Sequence, residues 1–435
     1  MSRRRVVITG MGHVSPLPPT VDRFWEFLFT GTDVVRPYAS DIPISVAAPA
    51  LFNGNIDDFP DVDPAQKKSI KKSLKVMARE IQMALAASSR AVANAEIRFG
   101  QFEPSQIGVS FGADHILTTP DECFDGIKAC LTNSHALRPT PHASRLQFDF
   151  ARWADDGMPK MSPLWQLKYL PNMPASHIAI LNGFHGPSNS MTLREASIGA
   201  AVGESLAIIE SGRTDMMLVG TTGSRLHPIK LAQAIQQEEL APEHCRPFDR
   251  DRNGTVLGEG AGAIVLEERE HAVNRGATIY AEVVAASYRA RFDRSGADHR
   301  REIIGQVLRD VLRKGNRKPE QIGHISAHGL GNRSSDAAEA QAIADIFGGR
   351  SASIPVCAAK GFFGNLGAGA GAVELIASVL ALCKRKLFPT PYHKTPDADC
   401  PVRVATAGEP SGDSFVKIAV NPQGQASAVL VVAEQ

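Results

Sequence analysis

An α/β architecture is predicted by three features of the 435-residue chain. Short runs rich in Val and Ile end at Gly-containing turns, stretches with helical spacing lie between them, and the same strand-and-turn unit recurs in both halves. The elements follow in order. RVVITGMGHVS predicts a buried strand from Arg5 to Thr9 that stops at the Gly10 and Gly12 turn, and FWEFLFTG predicts a helix with a Gly stop. Pro64 to Ala95 reads as one helix with Ile70, Leu74, Met77, Ile81 and Leu85 on a single stripe and its lysines on the solvated face. IGVSFGAD from Ile107 reads as a strand and turn. The Pro-, Asp- and Ser-rich segment from about 115 to 165 has little periodicity and predicts a loop-rich cap.

Order resumes at LKYLPNMPASHIAI. A Gly-Pro-Ser turn at Gly186 then leads to a helix over 195–211, a strand begins at Met216, and the glycines of GEGAGAIVLEE lead into another strand. In the second half ATIYAEVVAASY is strand-like, REIIGQVLRDVLRKG is an amphipathic helix, and HISAHG is a strand ending in a turn. AAEAQAIADIFG and AVELIASVLALCKRK are helical, and AVLVVAE closes the chain as a strand. No short-period repeat is present.

Composition narrows the function classes. A formal net charge of +1 provides no whole-chain field for nucleic acid or an anionic membrane. The apolar run after MSRRR is too short for a signal peptide, and no run approaches the roughly 20 residues of a membrane span. The expectation is a cytoplasmic protein with small-molecule or protein partners. The six cysteines, Cys123, Cys130, Cys245, Cys357, Cys383 and Cys400, lack zinc-type spacing, so reduced core thiols and no metal are expected. TGMGHV, GEGAGA and GNLGAGAGA supply neither a dinucleotide fingerprint nor a P-loop, so no nucleotide cofactor is expected and the glycines are read as places of close backbone approach.

Four segments carry a specific resemblance: RPFDRDRNGTVLGEGAGAIVLEE (246–268), SAHG followed by Asp336 and Glu339, AAKGFFGNLGAGAGAVE (358–374), and the GPS elbow. Together they resemble the β-ketoacyl-acyl-carrier-protein synthases of the elongating, synthase II type, over essentially the whole chain. The resemblance implies a thiolase-like fold, with duplicated halves in a five-layer α/β/α/β/α sandwich. Residues 1–258 would form the N-terminal half with its cap, and 259–435 the C-terminal half. It also implies a dimer paired across the strand that follows the nucleophile helix. In that family a cysteine at the elbow takes the acyl chain, and two histidines help decarboxylate the malonyl extender. A thiol at a helix start is a competent nucleophile, and imidazole donors stabilise the enolate oxygen.

Counting from Gly186, the family's Thr-Ala-Cys falls on Leu193, Arg194 and Glu195. The first histidine is kept as His328, but the threonines that bind phosphopantetheine are replaced in HGLGN by Leu330 and Asn332. Lys360 and Glu374 remain, and the second histidine has become Asn365, which donates a hydrogen bond but carries no imidazolium charge. The resemblance implies a substrate pocket lined by Arg194, Leu330, Asn332, Phe362, Phe363 and Gln423. NPQGQAS from Asn421, with Gln423, stands in a shortened form where the family has its phenylalanine gate.

Glu195 is a poor nucleophile, since the helix start holds it ionised and attack on a thioester would give a labile mixed anhydride. Cys357, in an apparent strand, reads as a core thiol, and His328 as either functional remnant or loop support. The expected function is a chain-length-factor-like partner of an active ketosynthase, as a heterodimer with it or a homodimer, with Arg194 and Glu195 ion-paired as a stopper. The alternatives are a malonyl-carrier-protein decarboxylase, disfavoured by a charged Glu195 and by Asn365, and a divergent acyl-binding or acyltransferase activity on the same fold. Acyl carrier protein is a possible partner, with Lys67, Lys68, Lys71, Lys72 and Lys75 as possible contacts, although a partner subunit that does all the docking is the stronger reading.

Overall fold

The computed structural model describes residues 4–31, 34–39, 42–133, 146–162, 165–292, 298–350 and 353–434. The first half runs β1 (Val6–Val14), α1 (Val21–Thr30), β2 (Arg36–Pro37), β3 (Val46–Ala48), α2 (Pro64–Ser73), α3 (Arg79–Asn94), β4 (Ile107–Ala113), α4 (Pro120–Ala129), β5 (Leu131–Asn133), β6 (Leu146–Phe148), α5 (Met173–Asn182), β7 (Ser188–Thr192), α6 (Ser197–Glu210), β8 (Met216–Ser224), α7 (Pro228–Gln237) and β9 (Leu257–Glu268). After α8 (Arg269–Asn274), the second half runs β10 (Ala281–Ala290), α9 (Arg300–Lys314), β11 (His324–Ser326), α10 (Arg333–Phe347), β12 (Pro355–Cys357), α11 (Lys360–Phe363), α12 (Gly369–Lys384), β13 (Arg403–Val404), β14 (Ser414–Asn421) and β15 (Gln425–Val432).

Strand order exposes the duplication. The first half reads β7-β4-β8-β9-β1 and the second β12-β11-β14-β15-β10, so each half, numbered in its own chain order, is 3-2-4-5-1. In both, the strands ordered 3-2-4 are parallel and those ordered 4-5-1 antiparallel. The change of halves falls between Glu268 and Ala281, whereas the expected boundary at 258/259 cuts through β9. Pairing rather than a linker joins the halves: β1 and β10 run antiparallel through Val7 and Glu282 and through Ile8 and Ala281.

Helices supply the remaining layers of the thiolase-like sandwich. α3 and α5 pack together on the outer face of the first sheet, and α9 and α10 pair on the outer side of the second. Between the sheets lie α6, against β4 and β8 on one side and β10 and β15 on the other, and α12, against β8 and β9 and against β14. A helix held between two sheets has no solvated face. Every residue of α12 from Gly369 to Leu382 is accordingly buried.

Glycines set the layer spacing. Gly258, Gly260 and Gly262 share one face of β9 by the strand's period of two, and Leu366 and Ala372 press against that face. A Cβ on Gly369 would overlap the Gly260 carbonyl oxygen. Gly10 and Gly12 do the same for β1 under Ala87 and Ala91 of α3. For this reason β1 continues to Val14 instead of stopping at Thr9, and the glycines of GEGAGA lie inside β9 rather than before it.

Other expectations shift. The predicted helix from Pro64 to Ala95 is broken at 74–78, where the Gln82 side chain donates to the freed carbonyls of Leu74 and Met77, at 3.0 and 3.2 Å. The cap contains the ten-residue α4, whose Phe124 and Ile127 stay exposed, so it has no core-facing stripe to show as periodicity. Residues 134–145 and 163–164 of the expected cap lie outside the described residues. The strand after the nucleophile helix, β8, is flanked on both edges by β4 and β9 and has no free edge for a second chain. Among the described residues the open edge of the main sheet in this half is β7, which precedes the helix. No described helix is long and apolar enough to cross a membrane.

Gly369→Ala is expected to force α12 away from β9 and lower the unfolding free energy by at least about 1–3 kcal/mol. Gly349→Ala, where an added Cβ meets nothing, should leave the urea midpoint near that of the parent.

Candidate functional site

Each half ends three adjacent parallel strands at one edge, the place where open α/β sheets position their functional groups. In the first half Asp114 follows β4, Arg194 and Glu195 follow β7, and Arg225 follows β8. In the second, His328 follows β11, Lys360 follows β12, and Asn421 ends β14. The starts of the two central helices bring these sets together.

The elbow is a strained turn. Arg194 holds φ at +51°, a left-handed conformation uncommon for a side chain this large. Two side chains hold the turn: Ser197 Oγ accepts from the Leu193 N–H at 3.2 Å, and Asn421 Nδ2 donates to the Leu193 carbonyl at 3.0 Å. Glu195 is thereby carried inward at the start of α6, with 2% of its surface exposed.

Two guanidiniums meet its carboxylate. Arg194 Nε lies 3.5 Å from Oε2 and Arg225 Nη1 3.6 Å from Oε1, while Asn365 Nδ2 donates to Oε1 at 3.3 Å. Glu238 faces both arginines, 3.6 Å from Arg194 and in a close ion pair with Arg225. The chain of charge continues from Arg194 through Asp114 at 4.0 Å and Lys230 at 3.8 Å to Glu80 at 3.2 Å. Burial alone would push the Glu195 carboxyl up, but Arg194, Arg225, its own backbone N–H and Asn365 together hold it below the usual carboxylate range. Glu195 is an anion here.

His328 lies across the crevice. Glu339 of α10 accepts the His328 and Gly329 N–H groups at 2.6 and 2.8 Å, and Asp336 accepts those of Leu330 and Gly331. Behind the ring, Lys360 Nζ donates to the His328 carbonyl at 2.7 Å and sits 3.3 Å from Nδ1. An ammonium can only donate, so Nδ1 accepts and Nε2 keeps the proton. Burial, then Lys360, Lys417 and Arg300, push the His328 pKa well down, so the ring is neutral. Lys360 and Lys417 share Glu374, at 2.5 and 2.6 Å, inside the core.

Glu195, His328, Asn365, Leu330 and Asn421 surround a cavity of about 10 Å³, space for one water at most. Outside it a cleft of about 430 Å³ is bordered by Glu238, Arg300, Leu330, Asn332 and Gln423. Glu195, Arg194, His328, Asn365 and Leu330 are thus brought together, with Lys360 behind them. Asn332 caps α10, its Oδ1 accepting from the Ser335 N–H at 3.1 Å. Gln423 is exposed in the three-residue turn between β14 and β15, where Asn421 Oδ1 accepts its N–H at 3.0 Å.

Phe362 and Phe363 correct the expectation for the pocket. Both are fully buried in the central core, with Phe362 packed against the rings of Phe27 and Phe388, because the single turn of α11 points them into the layer between the sheets. Cys357 is a core thiol as expected, raised by burial. Cys245 lies 3.4 Å from the Leu330 carbonyl, behind the His328 loop, and burial pushes its thiol up to about 12. It offers no thiolate near neutral pH. Asp114, Arg225, Glu238 and Lys230 were missed by sequence reading. The available signal was position, since Asp114 and Arg225 each stand one residue beyond a parallel strand.

Family models match nearly the whole chain: the β-ketoacyl synthase N-terminal domain over residues 3–272 and its C-terminal domain over 280–393. The chain belongs to the β-ketoacyl synthase family. It is 28% identical over 414 residues to the 3-oxoacyl-[acyl-carrier-protein] synthase 2 of Synechocystis sp., covering 92% of this chain and 90% of that one. A putative polyketide beta-ketoacyl synthase 1 of Streptomyces cyaneus is 30% identical over 411 residues, with 91% and 90% covered. Among solved structures, the ishigamide ketosynthase/chain length factor aligns over 100% of both chains with a TM-score of 0.82 and 25% identity. The synthase fold is therefore that of fatty-acid and polyketide synthesis, and no group of three or more His, Cys, Asp or Glu among the described residues could hold a metal.

Two outcomes follow from the electrostatics of this synthase-family site. Glu195→Ala leaves Arg194 and Arg225 facing one carboxylate fewer and is expected to cost about 3 kcal/mol in urea unfolding. The lowered carboxyl makes this contribution present above the ordinary carboxylate range and lost as pH falls through the folded value, so the gap between parent and variant should close in acid. Glu339 behaves oppositely. Burial raises its carboxyl from 4.5 to about 7, so its contribution favours the fold at low pH and fades as pH rises through that interval, a slope that thermal melts should find flattened in Glu339→Gln.

Proposed function

We propose that this chain is a non-condensing β-ketoacyl synthase homologue, the chain-length-factor-like partner of an active ketosynthase in fatty-acid or polyketide-type biosynthesis. The observation that carries this reading is the filled elbow. Counted along the motif from Gly186, Glu195 takes the position of the family's acylated cysteine in this reading; two arginines hold its carboxylate ionised, and about 10 Å³ remains beside it. An acyl thioester finds neither a nucleophile nor room. Retention of the duplicated scaffold fits a role as partner and shaping surface.

The free edge of β7 and the exposed Ile180 on the adjoining α5 support pairing with a second thiolase-fold chain there. Exposed Lys68, Lys71, Lys72 and Lys75 remain available to an acidic carrier protein. Decarboxylation of a malonyl group is the weaker reading. His328 offers an Nε2–H donor, but the Glu195 anion across the crevice would repel the malonyl carboxylate.

Co-expressed with a ketosynthase that retains its cysteine and both histidines, the chain is expected to co-purify in equal amounts, and Ile180→Glu to abolish this without lowering the melting temperature. Incubated alone with acyl-carrier thioesters, it should gain no mass and release no carbon dioxide from malonyl-carrier protein. A stable acyl adduct on the isolated chain would refute the proposal.

A further inference from the structure

The loop from His328 to Gly331 takes its backbone hydrogen bonds from side chains. Among the described residues its four successive N–H groups meet no backbone carbonyl. All four end on two carboxyls of α10: Glu339 accepts from His328 and Gly329, and Asp336 from Leu330 and Gly331. Asp336 also accepts the Phe248 N–H, at 2.9 Å. Three of these five donors stand on left-handed backbone, Phe248 at φ +60°, Gly329 at +48° and Gly331 at +78°. The two carboxyls are thus the clamp on the amide side of the loop. Leu330, inside it, borders both the void of about 10 Å³ at the elbow and the outer cleft of about 430 Å³.

Asp336 and Glu339 lie one helical turn apart and are fully buried, and among the described residues neither is within ion-pair distance of a cation. The cations nearby are engaged elsewhere: Arg252 with Asp397, Lys360 and Lys417 with Glu374, and Arg300 of α9 with Asp298. The other titratable neighbours, the His328 ring and the thiols of Cys245 and Cys400, are neutral. Two carboxylates so placed have lost their water and repel each other, and one proton on the pair relieves both costs. Burial accordingly raises Asp336 from 3.8 to about 6 and Glu339 from 4.5 to about 7. Carboxyls released into water return to their ordinary range, so the clamped loop binds the proton more tightly than a released one. The proton therefore favours the clamp, which is held fully at low pH and weakens as pH rises through the raised values.

We propose that the His328 loop is a proton-held latch: while Asp336 and Glu339 share a proton, residues 328–331 stay clamped to α10, and when that proton leaves to solvent the loop opens more often and shifts the Leu330 wall between elbow and outer cleft. No covalent step is involved, and the latch does not depend on the partner reading above.

Hydrogen exchange read by mass spectrometry on the full chain, with intrinsic rates corrected for pH, is the test. From about pH 5.5 to about pH 8 the protection factor of the peptide carrying 328–331 is expected to fall about tenfold or more, while that of β14 holds. Glu339→Gln removes the group with the higher pKa and should abolish most of the fall. In the parent, infrared difference spectra over the same range should show a protonated-carboxyl signal disappearing with the same midpoint, a check that needs no variant. Protection that is unchanged or higher at the upper pH, a fall shared equally by β14, a fall that Glu339→Gln leaves intact, or no titrating carboxyl signal overturns the latch.

Discussion

Close contact between the central helices and the sheets is the constraint from which the rest follows. α12 lies so near β9 that only glycine fits at Gly369 opposite Gly260, and every residue from Gly369 to Leu382 is buried. A layer this dry tolerates ionised groups only as matched sets. Glu374 shows the rule, held between Lys360 and Lys417 in the heart of the molecule.

The same packing decides where function can reside. Two copies of a 3-2-4-5-1 sheet turn the ends of their parallel strands toward a common crevice, one half supplying Asp114, Glu195 and Arg225 and the other His328, Lys360 and Asn421. The halves have diverged in chemistry while keeping geometry. The second retains a neutral histidine with a free donor, backed by an ammonium. The first has been filled by alternating charges that leave hardly a water's volume. Such a filling gives little net stability relative to an apolar one, but it occupies space and repels both acyl chains and anions. Asn365 and Asn421 connect the halves, one donating to Glu195 and the other to the Leu193 carbonyl.

Strand and helix periodicity made most of the fold legible, and the motifs placed Glu195, His328 and Asn365 around one crevice before any geometry was known. Less legible were features that depend on a neighbour. β14 carries Lys417 in mid-strand, which looks like a surface residue until Glu374 is found beside it. α4 has no buried stripe, and the break after α2 depends on a side chain of α3 reaching back. Their place in a motif puts Phe362 and Phe363 at the pocket, yet a four-residue helix sends both into the core.

The chain by itself determined its family, its α/β alternation and the identity of the group at the elbow, because these reside in local pattern and in residue type. Tertiary structure alone decided how completely the elbow is filled, by joining the expected Arg194–Glu195 pair to a wider set of buried charges. That outcome requires Arg225, Glu238 and Asp114, from three separate segments, to converge within ion-pair distance of Arg194 and Glu195 in a place where water cannot screen them.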